Sequence, residues 1–132
     1  MGTRAVNSAT GSNLADTYNA TGFVDTGAFS SGAFNLFEGL GGNDSITGNG
    51  DTRIAFSQAT AGVTVNLSTG TASGVSVGND TFSGVNSVQG SGFADTLTGD
   101  SHSNTFIGNA GNDIIDGGAG GDIAVYNGPR AA

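Results

Sequence analysis

Apolar positions recur at nine-residue intervals in four consecutive blocks that begin at residue 90. The first residue of each block is glycine and the eighth is apolar, with the remaining positions mostly small or polar. This spacing predicts short strands that each direct one side chain inward, since neighbouring side chains on a strand point to opposite faces. The predicted inward residues are Leu97, Phe106, Ile115 and Ala124. No stretch has a sustained helical period, so the chain is expected to be all-β.

The sixth position of each block is polar. The blocks read GSGFADTLT, GDSHSNTFI, GNAGNDIID and GGAGGDIAV over residues 90–98, 99–107, 108–116 and 117–125. Their sixth residues are Asp95, Asn104, Asp113 and Asp122. A self-similar array of this length predicts a solenoid in which each block is one structural unit.

A second array lies upstream and indicates an internal duplication. Its blocks span 11–19, 30–38, 39–47 and 48–56, and the sixth positions hold Asp16, Asn35, Asp44 and Arg53. Asp25 lies at a similar place in the longer stretch between the first two blocks. From Asn35 to Ala55 the offset to the downstream array is a constant 69 residues.

Between the arrays, residues 62–90 alternate apolar and polar positions. Val63, Val65 and Leu67 predict one strand, and glycines at 70, 74 and 78 punctuate the segment as turns. We interpret this segment as further coils of the same solenoid without a complete metal motif. A β-hairpin is the alternative.

The net negative charge of the chain limits the kinds of molecule it is expected to bind. Eleven acidic residues face three arginines, for a net charge of -8, and ten of the acids are aspartates. Such a chain should repel nucleic acid and anionic membrane surfaces and attract cations. No stretch resembles a membrane span, so no membrane insertion is expected. The absence of cysteine excludes disulfides and thiolate metal sites.

The repeat suggests why cations would bind. If six residues form a turn and three form a strand, two blocks complete a coil, which places Asp95 beside Asp113 and Asn104 beside Asp122. Facing carboxylates repel each other. Calcium relieves this repulsion because it takes six to eight oxygen ligands, including carboxylates and backbone carbonyls. The fold is therefore expected to depend on calcium.

The pattern G-G-x-G-x-D followed by an apolar eighth residue resembles the RTX, or haemolysin-type, calcium-binding nonapeptide repeat. Residues 117–125 match it fully, and 108–116 match with Asn109 in place of the second glycine. The resemblance implies a parallel β-roll, or β-solenoid, of stacked nonapeptide turns. The expected organisation is a single domain over 1–132, with arrays at 11–56 and 90–125, connecting coils at 57–89 and a tail at 126–132.

The resemblance also implies that several calcium ions lie between stacked turns, held by turn carbonyls and sixth-position aspartates. Besides the two downstream pairs, it implies that Asp25 pairs with Asp44 and Asp16 with Asn35. Arg53 departs from this pattern, and the sequence leaves open whether its guanidinium replaces an ion by pairing with a carboxylate. The alternative for each aspartate is a metal-free turn bonded to its own backbone. The predicted metal-site residues are Asp16, Asp25, Gly39, Gly41, Asp44, Gly90, Gly92, Asp95, Gly99, Asn104, Gly108, Ala110, Gly111, Asp113, Gly117, Ala119, Gly120 and Asp122.

The same resemblance implies a calcium-binding structural module of a bacterial protein that leaves the cell by type I secretion and folds outside. Its expected partners are calcium ions and the remainder of a larger exoprotein. His102, the single histidine, adjoins Ser101 and Ser103, but adjacent strand residues point apart, so no enzyme is expected. The alternatives are a glycan- or ice-binding module that uses rows of hydroxyls such as Thr47, Thr96, Thr98 and Thr105, and an accessory domain of a secreted enzyme or adhesin.

Overall fold

The structure, a computed structural model, describes residues 7–21 and 35–126. These residues form thirteen strands and no helix, so none of them belongs to a helix able to span a membrane. The all-β prediction is confirmed. The strands are β1 (Asn7–Thr10), β2 (Thr17–Asn19), β3 (Asn35–Glu38), β4 (Ser45–Thr47), β5 (Thr52–Ala55), β6 (Val63–Asn66), β7 (Thr71–Gly74), β8 (Gly78–Ser83), β9 (Ser87–Gln89), β10 (Thr96–Thr98), β11 (Thr105–Ile107), β12 (Ile114–Asp116) and β13 (Ile123–Val125).

The strands belong to two sheets. A six-stranded sheet has the order β1-β3-β5-β9-β11-β13, and all its pairs are parallel. A seven-stranded sheet has the order β12-β10-β6-β7-β8-β4-β2 and is mixed, because β7 runs antiparallel to both neighbours. Outside β6–β8, consecutive strands alternate between the two sheets. A strand therefore pairs with the next strand but one in the sequence, as β9 does with β11.

The structure of the middle segment contradicts the prediction that residues 62–90 form further coils of the solenoid. Strands β6, β7 and β8 form an antiparallel meander within one sheet, as the hairpin alternative had it. The chain reverses at Gly70, where φ is +69° and the amide donates to the carbonyl of Asn66 at 2.9 Å. The meander places β6 beside β10 and β8 beside β4, so it lies between the duplicated halves.

Side chains from both sheets contribute to one hydrophobic cluster. The predicted inward residues Leu97 and Phe106 are completely buried. Ile115 is only partly buried and Ala124 is exposed, which corrects the prediction that Ala124 belongs to the core. The reason is position, because β12 and β13 are the last strands of their sheets and nothing among the described residues lies beyond them.

The block 48–56 is shifted by one residue from the predicted register. Asn35 pairs with Thr52, and Leu36 pairs with Arg53, so Thr52 and not Arg53 fills the sixth position. The Thr52 side chain is buried and donates to Oδ1 of Asn35 at 2.8 Å. Arg53 instead reaches Ser87 Oγ through Nε at 2.9 Å on the neighbouring strand. The register thus moves Arg53 away from the sixth position, where the sequence had left open whether it replaces an ion.

Candidate metal sites in the turns

The sixth residue of a block directly precedes a strand or begins it, so parallel pairing brings sixth residues of neighbouring strands together. The amide of Asp95 donates to Oδ1 of Asp113 at 3.0 Å. The amide of Asn104 likewise donates to Oδ1 of Asp122 at 3.0 Å. Both downstream pairs expected from the sequence are thus adjacent in the structure.

The upstream pairing differs from the prediction. The amide of Asp16 donates to Oδ1 of Asp44 at 2.9 Å, whereas Asn35 lies on the other sheet beside Thr52. Only one strand, β3, separates β2 from β4 along the chain, so the blocks 11–19 and 39–47 are direct neighbours. The predicted pair of Asp16 with Asn35 is therefore wrong. Asp25 lies outside the described residues.

Three turns share one backbone conformation, and we call them open turns: those of blocks 39–47, 108–116 and 117–125. Their second and fourth residues all have positive φ, between +64° and +118°. The second residues are Leu40, Asn109 and Gly118, and the fourth are Gly42, Gly111 and Gly120. Positive φ is readily adopted only by glycine, which explains the glycines of the motif.

Three other stacked turns, in blocks 11–19, 90–98 and 99–107, we call closed turns. In each, the amide of the second residue donates to the side chain of the sixth. The pairs are Ser12 to Asp16 Oδ2 at 2.6 Å, Ser91 to Asp95 Oδ2 at 2.7 Å and Asp100 to Asn104 Oδ1 at 2.9 Å. The sixth side chain of a closed turn is therefore bound within its own turn.

Each open turn stacks on a closed turn. A β-carbon at Gly42, Gly111 or Gly120 would collide with the backbone carbonyl of Leu14, Phe93 or His102, the fourth residues of the closed turns. Glycine at this place is therefore required twice, by its positive φ and by the close approach of the neighbouring backbone. The other predicted site residues also lie in these turns: Gly90, Gly92 and Gly99 in closed turns, and Gly39, Gly41, Gly108, Ala110, Gly117 and Ala119 in open turns.

The open turns leave carboxylate oxygens without partners. Oδ2 of Asp44 and Oδ2 of Asp113 are both buried and accept no hydrogen bond. Asp44 is only 2% exposed, and burial raises the pKa of both carboxyl groups. A buried acceptor without a partner is unusual and marks a place where a water molecule or an ion is expected. The third open-turn aspartate, Asp122, directly precedes the last strand and is exposed.

Asp80 is a candidate that the sequence analysis did not select. Its Oδ1 accepts the amide of Asp44 at 2.9 Å, which extends the row Asp16, Asp44, Asp80 along the seven-stranded sheet. The side chain is 4% exposed, and burial raises its pKa to about 6. The sequence does contain a signal, because Gly-Asn-Asp occurs at 42–44, 78–80 and 111–113.

These residues fit a calcium ion if backbone oxygens contribute. Among the described residues, no three His, Cys, Asp or Glu side chains gather as a metal cluster. An ion at Asp44 or Asp113 would therefore need turn carbonyls to complete the six to eight oxygens that calcium prefers. The donor set is suitable, since it combines a hard carboxylate oxygen that lacks a partner with a glycine-rich turn.

Comparison with known proteins agrees with this chemistry. Residues 30–52 and 89–124 match the model of the RTX calcium-binding nonapeptide repeat, in four copies. No curated protein matches the chain. The matched segments contain all three open turns and two of the closed turns, while Asp80 lies between them. The resemblance seen in the sequence is confirmed: the chain carries RTX calcium-binding nonapeptide repeats.

Proposed function

We propose that the chain is a non-catalytic calcium-binding module of a secreted bacterial protein, and that its two repeat arrays form halves of a β-roll that folds when calcium binds. The observation that carries this proposal is the pair of buried, unpartnered Oδ2 atoms of Asp44 and Asp113. In a native turn, such atoms are otherwise satisfied by protein or water.

Calcium dependence follows from the charge of the turns. Asp16, Asp44 and Asp80 stand in one row, and the chain carries a net charge of -8. A buried carboxylate without a compensating charge opposes folding. Calcium would supply that charge at the open turns, held by Asp44, Asp113 and Asp122 with turn carbonyls. A chain made in a calcium-poor cytosol would then stay unfolded until it reaches the calcium-rich exterior.

The direct test is far-UV circular dichroism during calcium titration, followed by chelation. We expect a largely unfolded spectrum without calcium, a strand spectrum with calcium and a return after chelation, with magnesium ineffective at equal concentration. Asp44→Asn combined with Asp113→Asn should raise the calcium concentration needed at the midpoint. A strand spectrum that is the same in excess chelator, with no calcium bound in equilibrium dialysis, would contradict the proposal.

One observation favours a second candidate function, the binding of an extended hydroxyl-rich ligand such as a glycan or ice. The outer face of the seven-stranded sheet carries a continuous row of aligned polar residues. In order across the strands it consists of Thr17, Ser45, Thr81, Thr71, Asn66, Thr98 and Asp116. Neighbouring members are about 4.8 Å apart.

This second function predicts binding that depends on the row. Calcium-loaded protein should bind an immobilised polysaccharide or inhibit ice recrystallisation, and Thr71→Tyr at the centre of the row should abolish that effect. Thr105→Tyr, on the other sheet, is the control. Absence of both activities in the folded wild-type protein would leave the structural module as the sole function.

A further inference from the structure

Two serines lie at the second position of duplicated closed turns and bind the carboxylate of the same turn twice. The Ser91 amide donates to Asp95 Oδ2 at 2.7 Å, and its hydroxyl donates to Oδ1 at 2.6 Å. The Ser12 amide and hydroxyl both donate to Asp16 Oδ2, at 2.6 and 3.1 Å. The blocks around them share the pattern G-S-x-x-A-D-T.

Both oxygens of the Asp95 carboxylate accept hydrogen bonds from protein donors. It accepts a third hydrogen bond from the amide of Val63 at 2.9 Å, and Ser91 and Asp95 are 0% and 1% exposed. Hydrogen bonds from several donors stabilise a buried carboxylate in its charged form without a metal. The neighbouring Asp113 has no such donors at Oδ2. Two stacked aspartates therefore differ in whether their oxygens remain available.

The closed turn also orients the open one. The amide of Asp95 donates to Oδ1 of Asp113, and the amide of Asp16 donates to Oδ1 of Asp44. Each bond holds one oxygen of the open-turn carboxylate and leaves the other, Oδ2, without a partner. A side chain held in this way loses less freedom when an ion binds, which favours binding.

We propose that Ser12 and Ser91 take the place of a calcium ion in their own turns, and that these turns position Asp44 and Asp113 as ligands in the open turns stacked on them. This inference rests on the proposed calcium binding. It reassigns Asp16 and Asp95, which the family resemblance implied as ligands, to a positioning role. Calcium then enters only one turn of each of these pairs.

Counting bound ions tests the assignment. In equilibrium dialysis of the full chain at saturating calcium, Asp95→Asn should bind as many ions as the wild type, and Asp113→Asn should bind one fewer. Asparagine is a suitable replacement because Asn104 already fills the sixth position of another closed turn, where it accepts the Asp100 amide at 2.9 Å. Loss of one ion in Asp95→Asn would overturn the proposal while calcium binding itself stands; no ion on the wild type would overturn the proposed function.

The positioning role is tested at the upstream pair, where Ser12 is exposed and tolerates substitution. We expect Ser12→Ala to weaken calcium binding at Asp44 about tenfold, followed by the Asp44 amide signal in an NMR titration, with the number of bound ions unchanged. Ser12→Thr retains the hydroxyl and should restore the affinity. An affinity that stays within about twofold of wild type in Ser12→Ala would refute the role.

Discussion

The turns of blocks 90–98 and 108–116 are neighbours at the edge of one sheet, yet the aspartates at their sixth positions have opposite hydrogen-bonding environments. Asp95 accepts three hydrogen bonds from Ser91 and Val63, whereas Asp113 retains a buried oxygen with none. The second residue of the block decides between these states. Serine in an ordinary backbone conformation closes the turn, and Asn109 at φ +64° opens it.

The same difference between a closed and an open turn occurs in the other two stacked pairs. Ser12 closes the turn of Asp16, while Leu40 at φ +70° opens that of Asp44. In the third pair the closed turn carries the neutral Asn104. The nonapeptide repeat thus encodes two kinds of turn, one in which the sixth side chain accepts a hydrogen bond from its own turn and one in which it does not.

The largest predicted effect is a loss of stability when glycine is replaced by alanine in an open turn but not in a closed one. Gly111→Ala should destabilise the calcium-loaded protein by about 2–4 kcal/mol, because φ is +118° and the β-carbon would meet the Phe93 carbonyl. Gly92→Ala, in the closed turn, has nothing within 4 Å of the new atom and should change stability by less than about 0.5 kcal/mol. Urea unfolding at saturating calcium measures both, and equal losses would contradict the distinction.

Removing the Ser91 hydroxyl from a closed turn should have the next largest effect. Ser91→Ala deprives the buried Asp95 carboxylate of one donor and should cost about 1–3 kcal/mol in the same unfolding measurement. Ser103→Ala is the control, because its hydroxyl only accepts a 3.3 Å bond from the exposed Gly121 amide. If both variants unfold at the wild-type urea concentration, the Ser91 hydroxyl does not stabilise the turn.

Acidification should stabilise the calcium-free protein. Burial raises the pKa of Asp80 to about 6, above its value in the unfolded chain, so the folded state gains stability as the pH falls through that value and loses it as the pH rises. The gain is on the order of 1 kcal/mol between about pH 7 and pH 5. Circular dichroism of calcium-free protein should show more strand at the lower pH, and Asp80→Asn should reduce the difference. An unchanged pH response in that variant would assign the effect to other carboxylates.

The smallest effect concerns a leucine in each kind of turn. Leu40→Gly should stabilise the protein by about 0.5–1 kcal/mol, because leucine at φ +70° is strained and glycine is not. Leu14→Gly, in a closed turn without positive φ, should instead reduce stability by a few tenths of a kcal/mol, since glycine adds entropy to the unfolded chain. Thermal melts at saturating calcium should shift in opposite directions.

The repeat could be predicted from the sequence wherever blocks keep nine residues. The pairs of Asp95 with Asp113 and Asn104 with Asp122 follow from that period alone, and the structure has both. Prediction failed where the length of a connection changed. A shorter link before β5 moved Thr52 into the place assigned to Arg53, and a one-residue slip exchanges the two faces of a strand.

Other features were present in the sequence but not interpreted. The repeated Gly-Asn-Asp would have indicated Asp80, and serine at the second position of 11–19 and 90–98 separates these two closed turns from the open ones. The antiparallel β7 depends on whether the chain reverses at Gly70 or crosses to the other sheet. Alternation of apolar and polar residues is the same in both cases, so the pattern could not decide between them.

The path of the chain through the meander has a consequence for protein cleaved by a protease between β7 and β8. Val75, in the loop between β7 and β8, is 93% exposed and therefore accessible to a protease. A cut there would yield two fragments whose strands still interlock, since β8 of the second pairs with β4 and β7 of the first, and β6 of the first pairs with β10 of the second. Nicked protein should stay together until it is denatured, and separately made halves should reassemble by complementation.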